Sequence, residues 1–227
     1  MLKAILLFVL LVFSSNAQDQ QYTLGEKIYN KACVSCHGLD GKKAKGVSFI
    51  VNPRDLKKTI LREDQAYLVV KDGAHKHGSA ADIMPAFKTV LNEEELRAVT
   101  HYMYKKFDPQ ADQRISELYA QSDEIPAAKK AKMAKRGAKI YKRNCSWCHG
   151  KSGDGDGEAT RNPEKSIYPY NLVTSLLDEK QMFLYTKYGG HFWGTDKKDM
   201  PSWAKKYDDY TIKSVIYHNE KELKGNK

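Results

Sequence analysis

Four cysteines occur in the chain, and two copies of the motif C-x-x-C-H use all of them. The copies are CVSCH at 33–37 and CSWCH at 145–149, and their reactive side chains are those of Cys33, Cys36, His37, Cys145, Cys148 and His149. This motif is the attachment signature for c-type haem. The two thiols add across the vinyl groups of the porphyrin, and the histidine coordinates the iron from the proximal side. The spacing therefore predicts two covalently bound haem c groups.

Other sites built on C-x-x-C fit this sequence less well. A disulfide oxidoreductase needs one such motif and no histidine directly after it. A zinc site usually leaves about 15–20 residues between paired motifs, whereas 108 residues separate Cys36 from Cys145. Disulfides within each motif would close very small loops and would add little stability. Covalent haem is therefore the favoured interpretation.

A second axial ligand for each iron must come from elsewhere, and Met84 and Met200 are the candidates. Met84 follows His37 by 47 residues, and Met200 follows His149 by 51 residues. Most lone methionines are core residues. Here, however, each methionine opens an M-P-x-aromatic turn, MPAF or MPSW, at a matched distance from its motif. This repetition favours iron ligation by the thioether, which raises the reduction potential relative to bis-histidine ligation.

The two motifs belong to a longer internal repeat. GEKIYNKACVSCHG at 25–38 aligns without gaps with GAKIYKRNCSWCHG at 137–150, at an offset of 112 residues. Further along the offset is 116, which pairs His75 with His191. We interpret these two histidines as hydrogen-bonding residues, with axial ligation as the alternative. The change of offset places an insertion in the loop 151–158, whose DGDGE stretch lacks the full ligand pattern of an EF-hand calcium loop.

Helical periodicity gives the coarse organisation of the chain. Each repeat is predicted to end in an amphipathic helix, the first starting at an Asn92–Glu95 cap and the second at Asp208. The Lys-rich segment after Asn219 is predicted to fray. The stretch between the repeats has apolar positions at helical spacing and predicts a connector helix that packs on the protein. The domain assignment is a first domain at 18–107, a connector at 108–127 and a second domain at 128–227.

The first 17 residues predict a secretory signal peptide. Lys3 precedes an unbroken apolar run from Ala4 to Phe13, and small residues before Gln18 supply a cleavage site. The run is shorter than the ~18 apolar residues that a membrane span needs. An uncleaved N-terminal anchor is the alternative. We therefore expect a periplasmic or otherwise exported protein with no membrane span after cleavage.

The charge is basic and uneven along the chain. The formal net charge is +10, with +4 in residues 18–107 and +9 in residues 128–227. In an exported protein such charge favours an acidic protein surface or an anionic membrane as partner rather than nucleic acid. We expect redox protein partners with acidic docking surfaces.

The order of C-x-x-C-H, a proline loop, M-P-x-aromatic and a closing helix resembles class I cytochromes c, and the duplication resembles the tandem dihaem cytochromes of bacteria. The resemblance covers nearly all of the chain after residue 17 except the connector. It implies an all-α fold of two tandem class I cytochrome c domains, each a small helical bundle around one haem. It also implies that carbonyls of Pro53 and Pro169 accept hydrogen bonds from the proximal histidines, which orients the rings.

These patterns predict a soluble dihaem electron carrier rather than an enzyme. With His37 and Met84 on one iron and His149 and Met200 on the other, no coordination position stays open for a substrate. A respiratory donor and a terminal acceptor are the expected partners. An electron-transfer subunit of a larger oxidoreductase complex is the first alternative. A dihaem enzyme, such as a peroxidase or a sulfur-compound dehydrogenase, is the second.

Overall fold

The computed structural model describes residues 18–47, 53–79, 84–161, 168–195 and 200–225, and in this part of the chain every regular element is a helix. The predicted all-α class is confirmed. The α-helices are α1 (18–32), α2 (Val34–His37), α3 (Glu63–Asp72), α4 (Glu93–Phe107), α5 (Ala111–Ala120), α6 (Ala127–Lys130), α7 (Met133–Asn144), α8 (Ser146–His149), α9 (Glu179–Tyr188) and α10 (Asp209–His218). Short 3₁₀-helices occupy Leu56–Lys58, His75–His77, Phe87–Thr89, Glu158–Arg161 and Gly190–Trp193.

The sequence repeat is also a structural repeat, since α1 to α4 recur in the same order as α7 to α10. In each copy the first and last helices cross at a glycine. Gly25 of α1 lies against the carbonyl of Ala98 in α4, and Gly137 of α7 lies against the carbonyl of Ser214 in α10. A Cβ at either glycine would overlap that oxygen, so the close backbone approach requires glycine at both equivalent positions.

The closing helices begin where the sequence predicts. Asn92 accepts a hydrogen bond from the backbone N–H of Glu95, and the Glu95 carboxylate accepts one from the N–H of Asn92. This reciprocal cap starts α4. Asp208 starts α10 by accepting from the N–H of Thr211. Both capped starts confirm the predicted closing helices.

The end of the chain differs from the prediction that it frays. After α10 the backbone continues as a π-helix at Asn219–Lys224. Leu223 is buried in this segment and packs in one cluster with Tyr141 and Val215. The Lys224 ammonium also donates to the Leu177 carbonyl at 3.3 Å. One apolar side chain within the Lys-rich sequence therefore holds the segment on the second repeat.

Helix α5 of the predicted connector packs against both repeats. Ile115 is buried in the core of the second repeat, and the Tyr119 ring meets the Phe183 ring edge-on at 5.6 Å. At the other end, Arg114 pairs with Asp108 at 2.7 Å and donates to the Thr59 carbonyl at 2.8 Å. Within the predicted connector, Ala111–Ala120 thus forms a packed helix.

The two repeats also meet directly, along a seam with local two-fold symmetry. The Asp55 N–H donates to the Gly194 carbonyl at 3.2 Å, and the Asn171 N–H donates to the Gly78 carbonyl at 2.8 Å. The two bonds join equivalent residues, since the donors Asp55 and Asn171 are 116 residues apart and so are the acceptors Gly78 and Gly194. An ion pair between Arg62 and Asp178, at 2.6 Å, also joins equivalent positions. Each repeat therefore contacts its copy through the same surface.

Among the described residues, no helix combines the length and the apolar character needed to cross a bilayer. The predicted signal peptide at 1–17 lies outside the described residues.

Candidate functional site

Each C-x-x-C-H motif forms a single helical turn that follows a longer helix. In the first copy the N–H of Cys33 still bonds to the Tyr29 carbonyl at 2.9 Å, and the Cys33 carbonyl then accepts from Cys36 and His37 at 3.1 and 2.9 Å. Gly38, with a φ of 65°, ends the turn. Residues three and four apart share a face of a helix. Both thiols and the imidazole are therefore presented on the same side.

The second copy reproduces this geometry. Cys145 bonds back to the Tyr141 carbonyl at 2.8 Å, and its own carbonyl accepts from Cys148 and His149 at 3.1 and 2.9 Å. Gly150, with a φ of 77°, ends this turn. Both motifs therefore fold into the same turn, with two thiols and one imidazole on the same side.

A buried tyrosine closes each turn. The Tyr29 hydroxyl donates to the Gly38 carbonyl at 2.7 Å, and the Tyr141 hydroxyl donates to the Gly150 carbonyl at 2.8 Å. Burial raises the pKa of both phenols well above the ordinary value, so they remain donors. Each hydrogen bond ties the helix before the motif to the glycine after it, and this fixes the direction of the turn.

The environment of the thiols favours their uncharged form. Burial raises the pKa of Cys33 to about 11 and that of Cys145 to about 12. Burial raises the pKa of Cys148 as well, whereas Cys36 is exposed. The low polarity that disfavours a thiolate also suits the apolar face of a porphyrin.

The two proximal histidines differ in their support. Nδ1 of His149 lies 3.0 Å from the carbonyl oxygen of Tyr170. A proton on Nδ1 that is donated to this carbonyl leaves Nε2 free to bind iron. Burial lowers the pKa of His149, and the Tyr170 carbonyl opposes that shift. The acceptor in this structure is thus the residue after Pro169, not Pro169 itself.

The same displacement by one residue occurs in the first repeat. Burial lowers the pKa of His37, and the backbone of Arg54, the residue after Pro53, acts in the opposite direction. This contact is weaker than the one at His149, since the buried Nδ1 of His37 has no hydrogen-bond partner in the described part of the chain. Arg54 and Tyr170 are equivalent at the offset of 116. Each proline therefore lies one residue before the residue whose carbonyl faces the histidine.

Both methionine turns are tied to the end of a helix. The Ala74 N–H donates to the Met84 carbonyl at 3.1 Å, and the equivalent Gly190 N–H donates to the Met200 carbonyl at 2.8 Å. The helix ends themselves require glycine. Gly73 and Gly189 have φ values of 83° and 80°, and a Cβ on either one would press on the methionine turn. The segments directly before the methionines, 80–83 and 196–199, lie outside the described residues.

The histidines nine residues before each methionine contact backbone carbonyls, in line with the interpretation of them as hydrogen-bonding residues. Nδ1 of His75 lies 3.1 Å from the Ser79 carbonyl, and Nδ1 of His191 lies 3.2 Å from the Thr195 carbonyl. Both rings are on the exposed side of the chain. They stabilise the turn before each methionine segment by contacts within the turn.

The residues brought together fit two covalently held haem groups. Each turn offers two thiols for thioether bonds and one imidazole, and at His149 the hydrogen bond on Nδ1 leaves Nε2 as the metal-binding atom. Each methionine belongs to the same repeat as its motif. Within the described residues, no group of three or more His, Cys, Asp or Glu side chains is arranged to hold a bare metal ion.

Three candidate functional residues give no signal in the sequence. Arg54 and Tyr170 provide the carbonyls that face the proximal histidines, and Tyr185 contacts the Arg54 guanidinium. The offset of 116 could have paired Arg54 with Tyr170. Because the two side chains differ in type, the repeat gives no signal at this position.

Comparison with known proteins matches the chain twice to one family. Residues 20–103 and 132–218 each match the family described as "Cytochrome C oxidase, cbb3-type, subunit III". The two matched ranges cover nearly all of the two structural repeats.

Curated relatives carry related names. The chain is similar to the cbb3-type cytochrome c oxidase subunit CcoP of Azospirillum brasilense, with 27% identity over 219 residues, 86% of this chain and 60% of that protein. It is also similar to the CcoP subunit of Azospirillum sp. strain B510, with 26% identity over 213 residues, 86% of this chain and 60% of that protein. The chain therefore spans about 60% of the length of these relatives.

Among solved structures, the Kuenenia stuttgartiensis reducing HAO-like protein complex Kustc0457/Kustc0458 resembles this chain with a TM-score of 0.46 and 21% identity. The alignment covers 86% of this chain and 94% of that one.

Proposed function

This chain belongs to the family described as "Cytochrome C oxidase, cbb3-type, subunit III", and on that premise we propose that it is the dihaem electron-transfer subunit of a larger oxidoreductase complex. Its two haem c groups are bound by Cys33 and Cys36 in the first repeat and by Cys145 and Cys148 in the second. The relatives named as oxidase subunits support the complex.

One observation carries the proposal: the complete attachment turn is present twice, and the two copies are joined by a hydrogen-bonded seam. When bound, each haem supplies a site that accepts and releases one electron. The protein orients the groups through its own residues, with His37 and His149 as proximal ligands. Met84 and Met200 complete the coordination in this proposal, so neither iron keeps an open position for a substrate.

The surface around the second attachment turn suits a protein partner. Trp147 lies between the two cysteines of this turn and is 61% exposed. Lys142, Arg143 and Lys151, close to it in sequence, are exposed as well. An apolar side chain within a basic surface fits a partner with acidic residues around its contact region. We assign this surface to docking, and the predicted signal peptide supports a location outside the cytoplasm.

The test is the size of the native assembly that contains the chain. A haem-specific absorbance signal that elutes with several other polypeptides, far above the 25.9 kDa of this chain, supports the subunit. The free electron carrier, favoured by the sequence alone, is the second candidate because of the basic second half. Elution of all haem-containing chain at monomer size would select that candidate and overturn the complex.

A dihaem enzyme is tested separately. Carbon monoxide should leave the ferrous absorption spectrum unchanged if methionine occupies the sixth position of both irons. A spectral change at one haem would indicate an open or labile position and would favour the enzyme.

A further inference from the structure

The side chain of Arg54 reaches from the first repeat into the second. Its Cζ atom lies 5.0 Å from the centre of the Tyr170 ring and 5.7 Å from the centre of the Tyr185 ring. Its terminal nitrogens approach the Tyr185 hydroxyl at 3.4 and 3.5 Å. A guanidinium both stacks on aromatic faces and donates hydrogen bonds. Arg54 therefore holds two aromatic residues of the other repeat.

Both tyrosines belong to the second haem site. The Tyr170 carbonyl accepts the hydrogen bond from His149. Tyr185 lies in the last turn of α9, the helix whose end anchors the Met200 turn. Arg54 meanwhile presents its own backbone to His37. One residue thus connects the two backbone segments whose carbonyls face the proximal histidines. These segments, at Arg54 and at Tyr170, are called the histidine supports below.

The backbone around these supports is fixed from across the seam. The residue after Arg54 donates to the Gly194 carbonyl, and the residue after Tyr170 donates to the Gly78 carbonyl. Gly78 and Gly194 have φ values of 96° and 81°, and a Cβ on either would meet the backbone of the opposite support. Each support is therefore in direct backbone contact with the other repeat.

The charge of Arg54 is also unusual in its setting. Arg54 is half-buried, and among the described residues it forms no ion pair with a carboxylate. Burial disfavours the cation, but the two tyrosines favour it, and the net effect raises the pKa of the guanidinium. Its equivalent in the second repeat is Tyr170, so the local two-fold symmetry does not add a second cation here. A fixed positive charge stabilises the state of a nearby group that holds one more electron.

We propose that Arg54 is a positioning residue shared by both haem sites: it holds the two histidine supports together and places one positive charge between them, which raises the reduction potentials of both haems. The proposal rests on the proposed function, because it requires haem in both repeats. The step it affects is the reduction of ferric to ferrous iron by one electron from the redox partner. No bond forms or breaks in this step.

The experiment is spectroelectrochemical measurement of both reduction potentials in the holoprotein. Arg54→Gln should lower the reduction constant of both haems about tenfold, which is about 59 mV for a one-electron couple. Arg62→Gln is the matched control, since it removes one positive charge from the same seam where Arg62 pairs with Asp178. The control should change neither constant by more than about twofold.

Two further variants separate charge from stacking and do not depend on the stability of Arg54→Gln. Arg54→Lys keeps the charge and should hold both reduction constants within about threefold of the wild type. Tyr170→Leu removes the ring beneath the guanidinium. It should shift the potential of the first haem as well as the second, although Tyr170 belongs to the second repeat.

The results that overturn the proposal are specific. Equal shifts for Arg54→Gln and Arg62→Gln would do so, and so would a Tyr170→Leu shift confined to the second haem. Haem content, measured as haem per chain, tests the proposed function independently. Fewer than two haems in the wild-type protein would contradict that function, whereas two haems with potentials insensitive to Arg54 would contradict only the role of Arg54.

Discussion

The side-chain amides of Gln65 and Gln181 bond to each other in both directions across the seam, with Nε2–Oε1 distances of 2.9 and 2.6 Å. Each amide also donates to a backbone carbonyl of the opposite repeat, Leu176 for Gln65 and Ile60 for Gln181. Each amide oxygen in addition accepts the N–H at the start of its own helix. All donors and acceptors of these two buried amides are therefore used.

Replacing either amide alone should destabilise the protein, and the two single losses together should exceed the loss when both are replaced. Gln65→Leu leaves the buried Gln181 amide without its partner, and we expect a loss of about 1–3 kcal/mol in the free energy of unfolding. The double variant with Gln181→Leu should lose less than the sum of the two single losses. Denaturant unfolding of the holoprotein measures all four forms. Gln113→Leu, at an exposed position of α5, should change stability by less than about 0.5 kcal/mol. Strictly additive losses at Gln65 and Gln181 would contradict the pairing.

The helix crossing in the second repeat should not tolerate a methyl group. Gly137→Ala would place a Cβ against the Ser214 carbonyl, and forcing the helices apart should cost about 1–3 kcal/mol of stability. Lys139→Ala, on the exposed side of the same helix, is the control and should be close to neutral. Thermal unfolding of both variants measures the difference. A Gly137→Ala protein as stable as the control would show that α7 and α10 are not in close contact.

Each methionine should set the potential of one haem. Met84→His and Met200→His replace a thioether with an imidazole, and each should lower one midpoint potential by more than about 59 mV, a tenfold change in the reduction constant. Met103→Leu is a control, because Met103 is a partly buried methionine that packs on the same core as Met84. Potentiometric measurement of the three variants provides the readout. If neither histidine variant lowers a midpoint potential, the axial assignment is wrong.

Acid should loosen the attachment of the Met84 turn. Lys88, just after this turn, pairs with Asp72 at 2.9 Å, with Lys76 at 3.2 Å on the same carboxylate. These cations lower the pKa of Asp72 from 3.8 to about 2. A lowered carboxyl pKa stabilises the fold above its unfolded value, and this contribution is lost as the pH falls from about 4 to about 2.

Asp72→Asn should therefore destabilise the holoprotein by about 1 kcal/mol at pH 7, and the difference from the wild type should vanish near pH 2. Unfolding curves across this range measure the effect. Asp64→Asn is a suitable control, because Asp64 is on the same helix and its side chain is 76% exposed. A constant difference between wild type and Asp72→Asn at all pH values would contradict the ion pair.

Electron transfer to an acidic partner should slow as salt rises. At physiological ionic strength, salt largely screens the attraction between exposed charges that are more than about 8 Å apart. Lys142→Glu, beside the second attachment turn, should reduce the bimolecular rate more than Lys57→Glu, an exposed residue of the first repeat. Stopped-flow rates against ionic strength provide the measurement. A flat salt response would contradict docking through the basic surface.

The sequence is sufficient for the parts of this protein that repeat a recognisable local pattern. The attachment turns need only the i, i+3, i+4 spacing of Cys33, Cys36 and His37, and the closing helices need only a capping residue and apolar periodicity. These features depend on neighbours along the chain. The packed connector helix follows in the same way from the spacing of Ile115 and Tyr119.

The seam could not be predicted because it depends on contacts between residues far apart in sequence. Gln65 and Gln181 are 116 residues apart, and a glutamine near the start of a helix normally indicates an exposed cap. The family resemblance assigns the histidine supports to Pro53 and Pro169, one residue before the residues whose carbonyls face the rings. Only the path of the backbone after each proline decides which carbonyl faces the ring.

The symmetry of the seam bears on how such a chain can arise. A contact in which each copy presents the same surface is the kind that joins identical subunits in a two-fold dimer, and glutamine at both 65 and 181 satisfies it without any difference between the copies. A single repeat with this surface could thus pair with a second molecule of itself. Fusing the two through the connector replaces that concentration-dependent association by a high effective concentration. Once the copies are fused they can diverge, and Arg54 opposite Tyr170 is a place where they have.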